Sequence, residues 1–293
     1  MSDLLEIQFI RGGMLTTLQD GGCFGWQHYG IPVGGFLDRD SAQLANLLVG
    51  NELEGPLLEM TYTGVHLRFS SAASIAVTGA TCSIELAGKQ VKSNRLLHLE
   101  PGDDLRLSAF KMGNRVYLAI AGEWQVEKTL GSVAAFAAAK PIRAFKSGDL
   151  LQVKNTVSEV SSEISEFRVQ NKATINPSKS LPIWPGPELS YLTKQDRARL
   201  CSCEFIIAAE SNRMALSLSS DSFGPFEPSA MISSGLLPGT IQCTPSGKLL
   251  LLMADAQTTG GYPRIAIVAK RYLSYLAQKR AGEKLRFEWQ LPK

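Results

Sequence analysis

The sequence predicts a mainly β protein, and three observations carry that reading. Short segments of strand length dominate, most of them alternating apolar with polar or small residues, with Gly, Asn, Asp or Pro between many of them. One pattern recurs three times, as Gly102-Asp103-Asp104-Leu105-Arg106-Leu107, Gly148-Asp149-Leu150-Leu151-Gln152-Val153 and Gly282-Glu283-Lys284-Leu285-Arg286-Phe287. In each, glycine supplies the dihedral freedom of a turn, the acidic residue stays solvated, and a half-buried strand follows. Only two segments stand out as helices, which favours barrels or sandwiches over alternating βαβ units.

Taken in order, Leu5 to Ile10 opens the chain as a strand. Asp38 is placed to cap a helix running through Ser41, Leu44, Ala45, Leu47 and Leu48, and Gly50-Asn51 stops it by taking a left-handed turn. Ser74 to Gly79, Cys82 to Leu86, Leu105 to Leu107 and Arg115 to Ile120 follow as strands. Asn155 to Pro182, with serines among scattered charges, reads as a linker or excursion containing a short strand at Glu166-Phe167-Arg168-Val169. A chain of 293 residues at roughly one domain per 150 holds about two, so residues 1–160 form a first unit, 161–180 the linker and 181–293 a second. Cys201-Ser202-Cys203 reads as part of a strand, as does Glu204 to Ala208. Leu249 to Ala254 is a buried strand ending at Asp255. Lys270 to Arg280 is a helix with Tyr272, Leu273 and Leu276 as its apolar stripe, its basic end suited to the helix dipole, and Gly282 stops it. Leu285 to Trp289 is the last strand.

Composition narrows the function classes. The 44% hydrophobic and 19% charged fractions fit a globular chain, and a net charge of +3 is too small for a generic nucleic-acid binder. Three histidines, His28, His66 and His98, all lie in the first third, which argues against histidine-rich metal chemistry. The five cysteines are odd in number and lack a recurring spacing, and nothing near Cys201 and Cys203 completes a zinc site. Residues 1–6 lack the start of a signal peptide, and no apolar run approaches the ~20 residues of a membrane span. A soluble, cytoplasmic protein without a nucleic-acid or membrane partner is expected.

Two segments concentrate groups that do chemistry. Asp255-Ala256-Gln257-Thr258-Thr259-Gly260-Gly261-Tyr262-Pro263-Arg264 puts a carboxylate, a carboxamide and two hydroxyls beside a Gly-Gly that lets backbone amides approach a ligand. The same residues also suit a tight turn whose Thr and Asp side chains bond their own backbone. Thr16 to Gly22, followed by His28 to Gly35 and Asp38-Arg39, crowds glycine, carboxylate, carboxamide and imidazole into stretches that also read as a chain of turns. Neither a phosphate-binding G-x-x-x-x-G-K-[ST] loop nor a G-x-S-x-G nucleophile elbow is present. Arg213, in Ser211-Asn212-Arg213-Met214, can fork onto a carboxylate or phosphate or serve an ordinary ion pair.

Together these stretches resemble the allophanate hydrolase subunit two, or KipA, family, which includes a 5-oxoprolinase subunit and the carboxyltransferase part of urea carboxylase. The resemblance covers nearly the whole chain. It is carried by Thr16 to Asp20, Gly30-Ile31-Pro32 through Asp38, Leu44 to Asn51, Leu58-Glu59, Gly79-Ala80, Tyr117 to Gly122, Leu130-Gly131-Ser132, Ser211 to Met214, Pro238 to Gln242 and, most specifically, Ala254 to Pro263. It implies two cyclophilin-like β-barrel units with a few short helices. It also implies a partner of the KipI or PxpB type (allophanate hydrolase subunit one), a PxpA-like (LamB/YcsF) protein, and ATP with Mg2+ used to open the lactam of 5-oxoproline to glutamate.

On that resemblance Gln257, Thr258, Thr259, Gly260, Gly261 and Tyr262 bind a lactam or amide substrate, with Gln19, His28, Asn46, Glu59 and Arg213. Asp20 and Asp255 are the candidates for proton transfer, or for holding the metal that accompanies ATP; no resident metal site is assigned. Two alternatives stand beside this. One is the carboxyltransferase component of a biotin-dependent urea or amide carboxylase, for which this chain carries no Met-Lys-Met biotin site. The other is a non-catalytic KipA-like regulator that binds a KipI-like kinase inhibitor. The family often places Arg where Cys23 and Val133 stand, and Gly-Tyr-Arg-Leu where Ala215 to Leu218 stands, so either altered substrate handling or loss of activity is expected.

Overall fold

The computed structural model describes residues 4–134, 144–154, 180–225 and 231–290. The protein is mainly β and divides into two compact units, Met1–Cys23 with Gly34–Asn171, and Phe24–Val33 with Lys172–Lys293. The expected linker at 161–180, apart from its last residue, and the expected strand Glu166-Phe167-Arg168-Val169 lie outside the described residues.

The first unit comprises β1 (Leu4–Arg11), β2 (Leu15–Gln19), α1 (Arg39–Leu48), β3 (Leu57–Thr61), β4 (His66–Phe69), β5 (Ala73–Thr81), β6 (Ile84–Leu86), β7 (Lys89–Val91), β8 (Leu96–Leu99), β9 (Asp104–Leu107), β10 (Met112–Ile120), β11 (Glu123–Trp124) and β12 (Leu150–Lys154). They form a seven-stranded sheet, β11-β12-β1-β4-β9-β6-β7, and a five-stranded sheet, β2-β3-β10-β5-β8. Period-two alternation explains how the sheets pack. Leu5, Ile7 and Phe9 of β1 and Leu67 and Phe69 of β4 meet Leu58 and Met60 of β3 and Val116, Leu118 and Ile120 of β10 in one core. The intervening residues Leu57, Tyr117, Ala119 and Ala76 point the other way, where Ala42, Ala45 and Leu48 of α1 cover them. The central strands β3 and β10 of the five-stranded sheet are therefore buried on both faces over most of their length.

Helix α1 starts and stops as its sequence predicts. The Asp38 carboxylate accepts from the Ser41 amide at 3.0 Å and the Ser41 hydroxyl at 2.6 Å. At the other end Gly50 is left-handed (φ 76°), its N–H donates to Leu47 O, and the Asn51 N–H donates to Asn46 O, the paired closure that satisfies orphan carbonyls.

The second unit comprises β13 (Leu181–Pro185), α2 (Lys194–Ser202), β14 (Phe205–Ile207), β15 (Ala215–Ser219), β16 (Ser234–Gly235), β17 (Thr240–Cys243), β18 (Leu249–Leu252), β19 (Thr259–Gly260), β20 (Arg264–Val268), α3 (Leu273–Ala277), β21 (Lys284–Leu285) and β22 (Phe287–Trp289). Its eight-stranded sheet runs β21-β14-β15-β18-β17-β20-β13-β22. The two edge strands are consecutive in sequence: Leu285 pairs with Phe205, Phe287 pairs with Leu181, and only Arg286 lies between. The expected single strand from Leu285 to Trp289 is thus divided, and it nearly closes the sheet into a barrel, which removes exposed edges. Cross-strand rows Leu216–Leu251–Ile241 and Leu218–Leu249–Cys243 share one face of the sheet.

The three Gly-acidic repeats build one turn three times. Gly102, Gly148 and Gly282 have φ of 88°, 89° and 84°, values that glycine alone adopts freely. Each glycine N–H donates to a neighbouring strand (Phe69, Phe9, Ile207), and that residue's N–H returns a bond to the acidic residue's carbonyl. The acids are not simply solvated as expected. Asp103 accepts the Glu100 amide, Asp149 the Lys146 amide and Glu283 the Arg280 amide, each closing its own turn.

Two expectations need correction. Cys201 lies in the last turn of α2 and Cys203 caps it, so Cys201-Ser202-Cys203 is no strand; the Thr193 hydroxyl and Asp196 carboxylate bond each other's backbone amides and start this helix. Helix α3, preceded by a 3-10 turn at Lys270–Tyr272, ends at Ala277 rather than Arg280, because the Arg280 amide already belongs to the turn that Glu283 closes. Among the described residues no helix is long and apolar enough to cross a membrane.

Candidate functional site

In the first unit, the face of the five-stranded sheet beneath α1 carries polar side chains at positions where core residues are usual. Thr17, Glu59, Tyr117 and Thr78 are successive cross-strand partners, and all are buried. The Glu59 carboxylate accepts from the Tyr117 hydroxyl at 2.8 Å and the Leu37 amide at 3.1 Å, with Arg115 Nε 3.7 Å from its other oxygen. The Tyr117 oxygen in turn accepts the Asp38 amide at 2.8 Å. Burial, then the charges of Glu59 and Asp38, hold the Tyr117 phenol well above its ordinary range, so it serves as a neutral donor.

Of the predicted residues, Glu59 is part of this layer, Gln19 bonds to it through Thr17, Asp20 follows the end of β2, and Asn46 is on α1. Gln19 Nε2 donates to Thr17 Oγ1 at 3.1 Å. Asn46 Nδ2 donates to Gly55 O at 2.8 Å. Asp20 Oδ1 accepts from the Ser132 hydroxyl at 2.5 Å and the Gly22 amide at 2.9 Å, while Oδ2 accepts the Val133 amide at 2.7 Å. Cys23 and Val133, standing where the family resemblance implies arginines, are both buried near this carboxylate, and burial and Asp20 raise the Cys23 thiol. Asp20 is thus held by three neutral donors.

In the second unit, the segment Asp255 to Arg264 is fixed at both ends by an Arg–carboxylate fork. Arg213 Nε donates to Asp255 Oδ2 at 2.7 Å and Nη2 to Oδ1 at 2.8 Å, with both side chains 7% exposed. Arg264 Nε and Nη2 donate to Glu188 at 2.8 and 2.6 Å, and its Nη1 donates to Gly235 O at 2.7 Å. Glu188 is held below, and Arg264 above, its ordinary pKa chiefly by this bond. Between the forks, Leu236 N–H donates to Thr258 O at 2.8 Å, and β19 pairs with β16 in a two-stranded ribbon. Leu236 and Ala256 cover Leu252 on the sheet below. Gln257 and Thr258 are half-buried, Thr259 and Gly261 are exposed, and Tyr262 is 43% exposed.

His28 lies in an exposed 3-10 turn, Gln27–Tyr29, with its ring 4.0 Å from that of Tyr29. Tyr117, Arg115, Ser132, Glu188, Arg264 and Gln242 were missed as site residues. For Tyr117 a signal existed: in Arg115-Val116-Tyr117-Leu118-Ala119-Ile120 the apolar residues alternate, leaving Arg115 and Tyr117 on the second face.

The carboxylates do not fit a magnesium–nucleotide. Both oxygens of Asp255 are engaged by one guanidinium and both of Asp20 by hydroxyl and amide donors, whereas Mg2+ requires carboxylate oxygen turned to the ion. Among the described residues no group of three or more His, Cys, Asp or Glu side chains is placed to hold a metal.

Comparison with known proteins gives the family. The carboxyltransferase domain family, subdomains A and B, matches residues 29–289. This chain belongs to it. Two bacterial relatives, each named as a subunit of 5-oxoprolinase, are similar almost end to end: 32% identity over 285 residues in Escherichia coli (strain K12), covering 96% of this chain and 90% of that protein, and 30% over 292 residues in Haemophilus influenzae, covering 98% and 91%. Urea amidolyase of Saccharomyces cerevisiae is 26% identical over 301 residues, 96% of this chain and 16% of that protein. Among solved structures, TTHA0988 superposes with a TM-score of 0.85 at 30% identity, over 97% of this chain, and the Kluyveromyces lactis urea carboxylase with 0.83 at 25%, over 96%. The chain spans 55% and 27% of the lengths of those two structures.

Proposed function

We propose that this chain is a subunit of an ATP-dependent 5-oxoprolinase, acting with a KipI/PxpB-like partner and a PxpA-like (LamB/YcsF) protein to hydrolyse the lactam of 5-oxoproline to glutamate. The observation that carries the reading is end-to-end similarity, over 96% of this chain and 90% of the relative, to an Escherichia coli protein named as a subunit of 5-oxoprolinase. ATP, as a substrate of the complex, makes the lactam carbon electrophilic by phosphorylating the amide oxygen. What this chain contributes is binding and orientation. Gln257, Thr258 and Thr259 present neutral donors and acceptors on a segment that two Arg–carboxylate forks hold still, and donors fixed before reaction are effective at stabilising developing charge. We assign Asp255 and Asp20 as positioning residues, because their oxygens are already occupied by Arg213 and by Ser132, Gly22 and Val133.

A second reading, carboxyl transfer to urea or a related amide, is favoured by the similarity to urea amidolyase and urea carboxylase. The test is to reconstitute the chain with its partners and offer ATP with either 5-oxoproline or urea. Glutamate formation that depends on this chain supports the first reading. Biotin-dependent carboxylation of urea supports the second, and an intact complex that turns over neither substrate overturns both.

A further inference from the structure

Beneath the Thr259–Gly260 ribbon lies a hydrogen-bonding site built from residues that the segment's own composition does not reveal. Gln242, on β17, is fully buried. Its Nε2 donates to Tyr262 O at 2.9 Å, which fixes the orientation of the carboxamide and, among the described residues, leaves Oε1 without a partner. Buried acceptors are nearly always satisfied, so an orphan one marks a missing ligand atom or water. The register supports a purpose for this side chain. Ile241 pairs with Ala266 and Gln242 with Arg264, so β20 bulges at Ile265 directly opposite Gln242, and bulges next to sites re-aim side chains.

Three more features converge on the same place. A Cβ at Gly260 would lie 3.2 Å from Gln242 Nε2, 3.6 Å from Gln257 Nε2 and 2.7 Å from Leu236 Cδ1, so both carboxamides gather where glycine leaves room. Ser234 is the direct cross-strand partner of Gly260, and paired residues present their side chains to the same face. Its hydroxyl is buried and, among the described residues, also lacks a partner. Among the described residues, an acceptor and a donor without partners thus lie under one two-residue ribbon.

We propose that Gln242 Oε1 and Ser234 Oγ form a recognition pair for a cis-amide edge, Gln242 accepting the substrate N–H and Ser234 donating to its carbonyl oxygen. A lactam ring holds N–H and C=O on the same side of the amide bond, and so does a primary amide. The ribbon has only two paired residues per strand, so it can part between the two forks, which keep the ends of the segment in place, to admit that edge. This inference rests on the reading of the chain as an amide-directed subunit and names the group by which it reads the amide.

The test is calorimetric titration of the full chain, alone and with its partner subunits, using 5-oxoproline, its N-methyl derivative and urea as probes. The variants are Gln242→Met and, because Gln242 is internal, also Ser234→Ala on the surface ribbon. The expected result is that N-methylation weakens wild-type binding by roughly ten-fold or more, that each variant binds 5-oxoproline weaker by a similar factor, and that Gln242→Met no longer distinguishes the methylated ring. Equal binding of the two lactams by the wild type, wild-type selectivity in both variants, or binding of no probe overturns the proposal. Gln242-dependent binding of urea with none of 5-oxoproline sustains the recognition pair while overturning the 5-oxoprolinase reading. Unchanged KM for 5-oxoproline in Gln242→Met does the reverse.

Discussion

Arg213 and Asp255 are bound to each other at two points, Nε to Oδ2 at 2.7 Å and Nη2 to Oδ1 at 2.8 Å, and the Asp255 N–H donates to the Arg213 carbonyl at 3.0 Å as well. The charge pair is nearly removed from water, so each partner is needed to compensate the other's desolvation. Asp255→Asn or Arg213→Met is expected to lower the unfolding free energy by about 3–5 kcal/mol in urea titrations. The double replacement Arg213→Met with Asp255→Leu should recover most of that loss. A variant Asp255→Asn that keeps wild-type stability but loses turnover would instead assign Asp255 to proton transfer.

Tyr117 supplies an alkaline signature. Its folded-state phenol is held well above the ordinary value, whereas in the unfolded chain it ionises near pH 10. Below about pH 10 both states hold the proton and the contribution is fully present; above it only the unfolded state releases the proton, so stability falls as pH rises. The Tyr117→Phe variant should therefore be less stable at pH 8, by about 1–3 kcal/mol for the unsatisfied partners it leaves, and its stability should fall less steeply between about pH 10 and 11.5.

The repeated turns should respond alike. Asp103, Asp149 and Glu283 each accept the amide three residues before them, so replacing each by alanine is expected to cost about 1 kcal/mol, measured by chemical unfolding. Asparagine at 103 or 149 should retain most of it, since its side-chain oxygen can accept the same bond.

Thiol reactivity should follow burial. Desolvation pushes Cys243 up to about 12 and Cys82 up to about 11. The thiolate is the reactive form, so neither should be alkylated in the native protein at pH 7.5 on the timescale that labels the denatured chain, as read by mass spectrometry.

What the sequence made legible was local chemistry. Gly102, Gly148 and Gly282 announced their turns because the φ requirement lies in single residues, and Asp38 with Gly50 announced both ends of α1 for the same reason. Helix α2 was missed although Thr193 and Asp196 cap it, because it buries one residue, Leu200, and so shows no apolar stripe against which to read the cap. The site was legible only in part. The Asp255 to Arg264 segment drew notice by composition, but its anchors depend on pairing across 42 and 76 residues, Arg213 with Asp255 and Glu188 with Arg264, which no local pattern encodes. Gln242 was hidden differently: within Thr240-Ile241-Gln242-Cys243 it looks like an outward-facing strand residue, and only the ribbon laid over it makes it internal.

Dependence of lactam hydrolysis on this chain is measured by quantifying glutamate and ADP formed from 5-oxoproline and ATP by the reconstituted complex, with and without the chain. Both products should form together, only when the chain is present, and Ser234→Ala should raise KM for 5-oxoproline while the complex stays assembled. Glutamate formation at the same rate without the chain, or an assembled complex that consumes urea and bicarbonate but leaves 5-oxoproline intact, would contradict the 5-oxoprolinase reading.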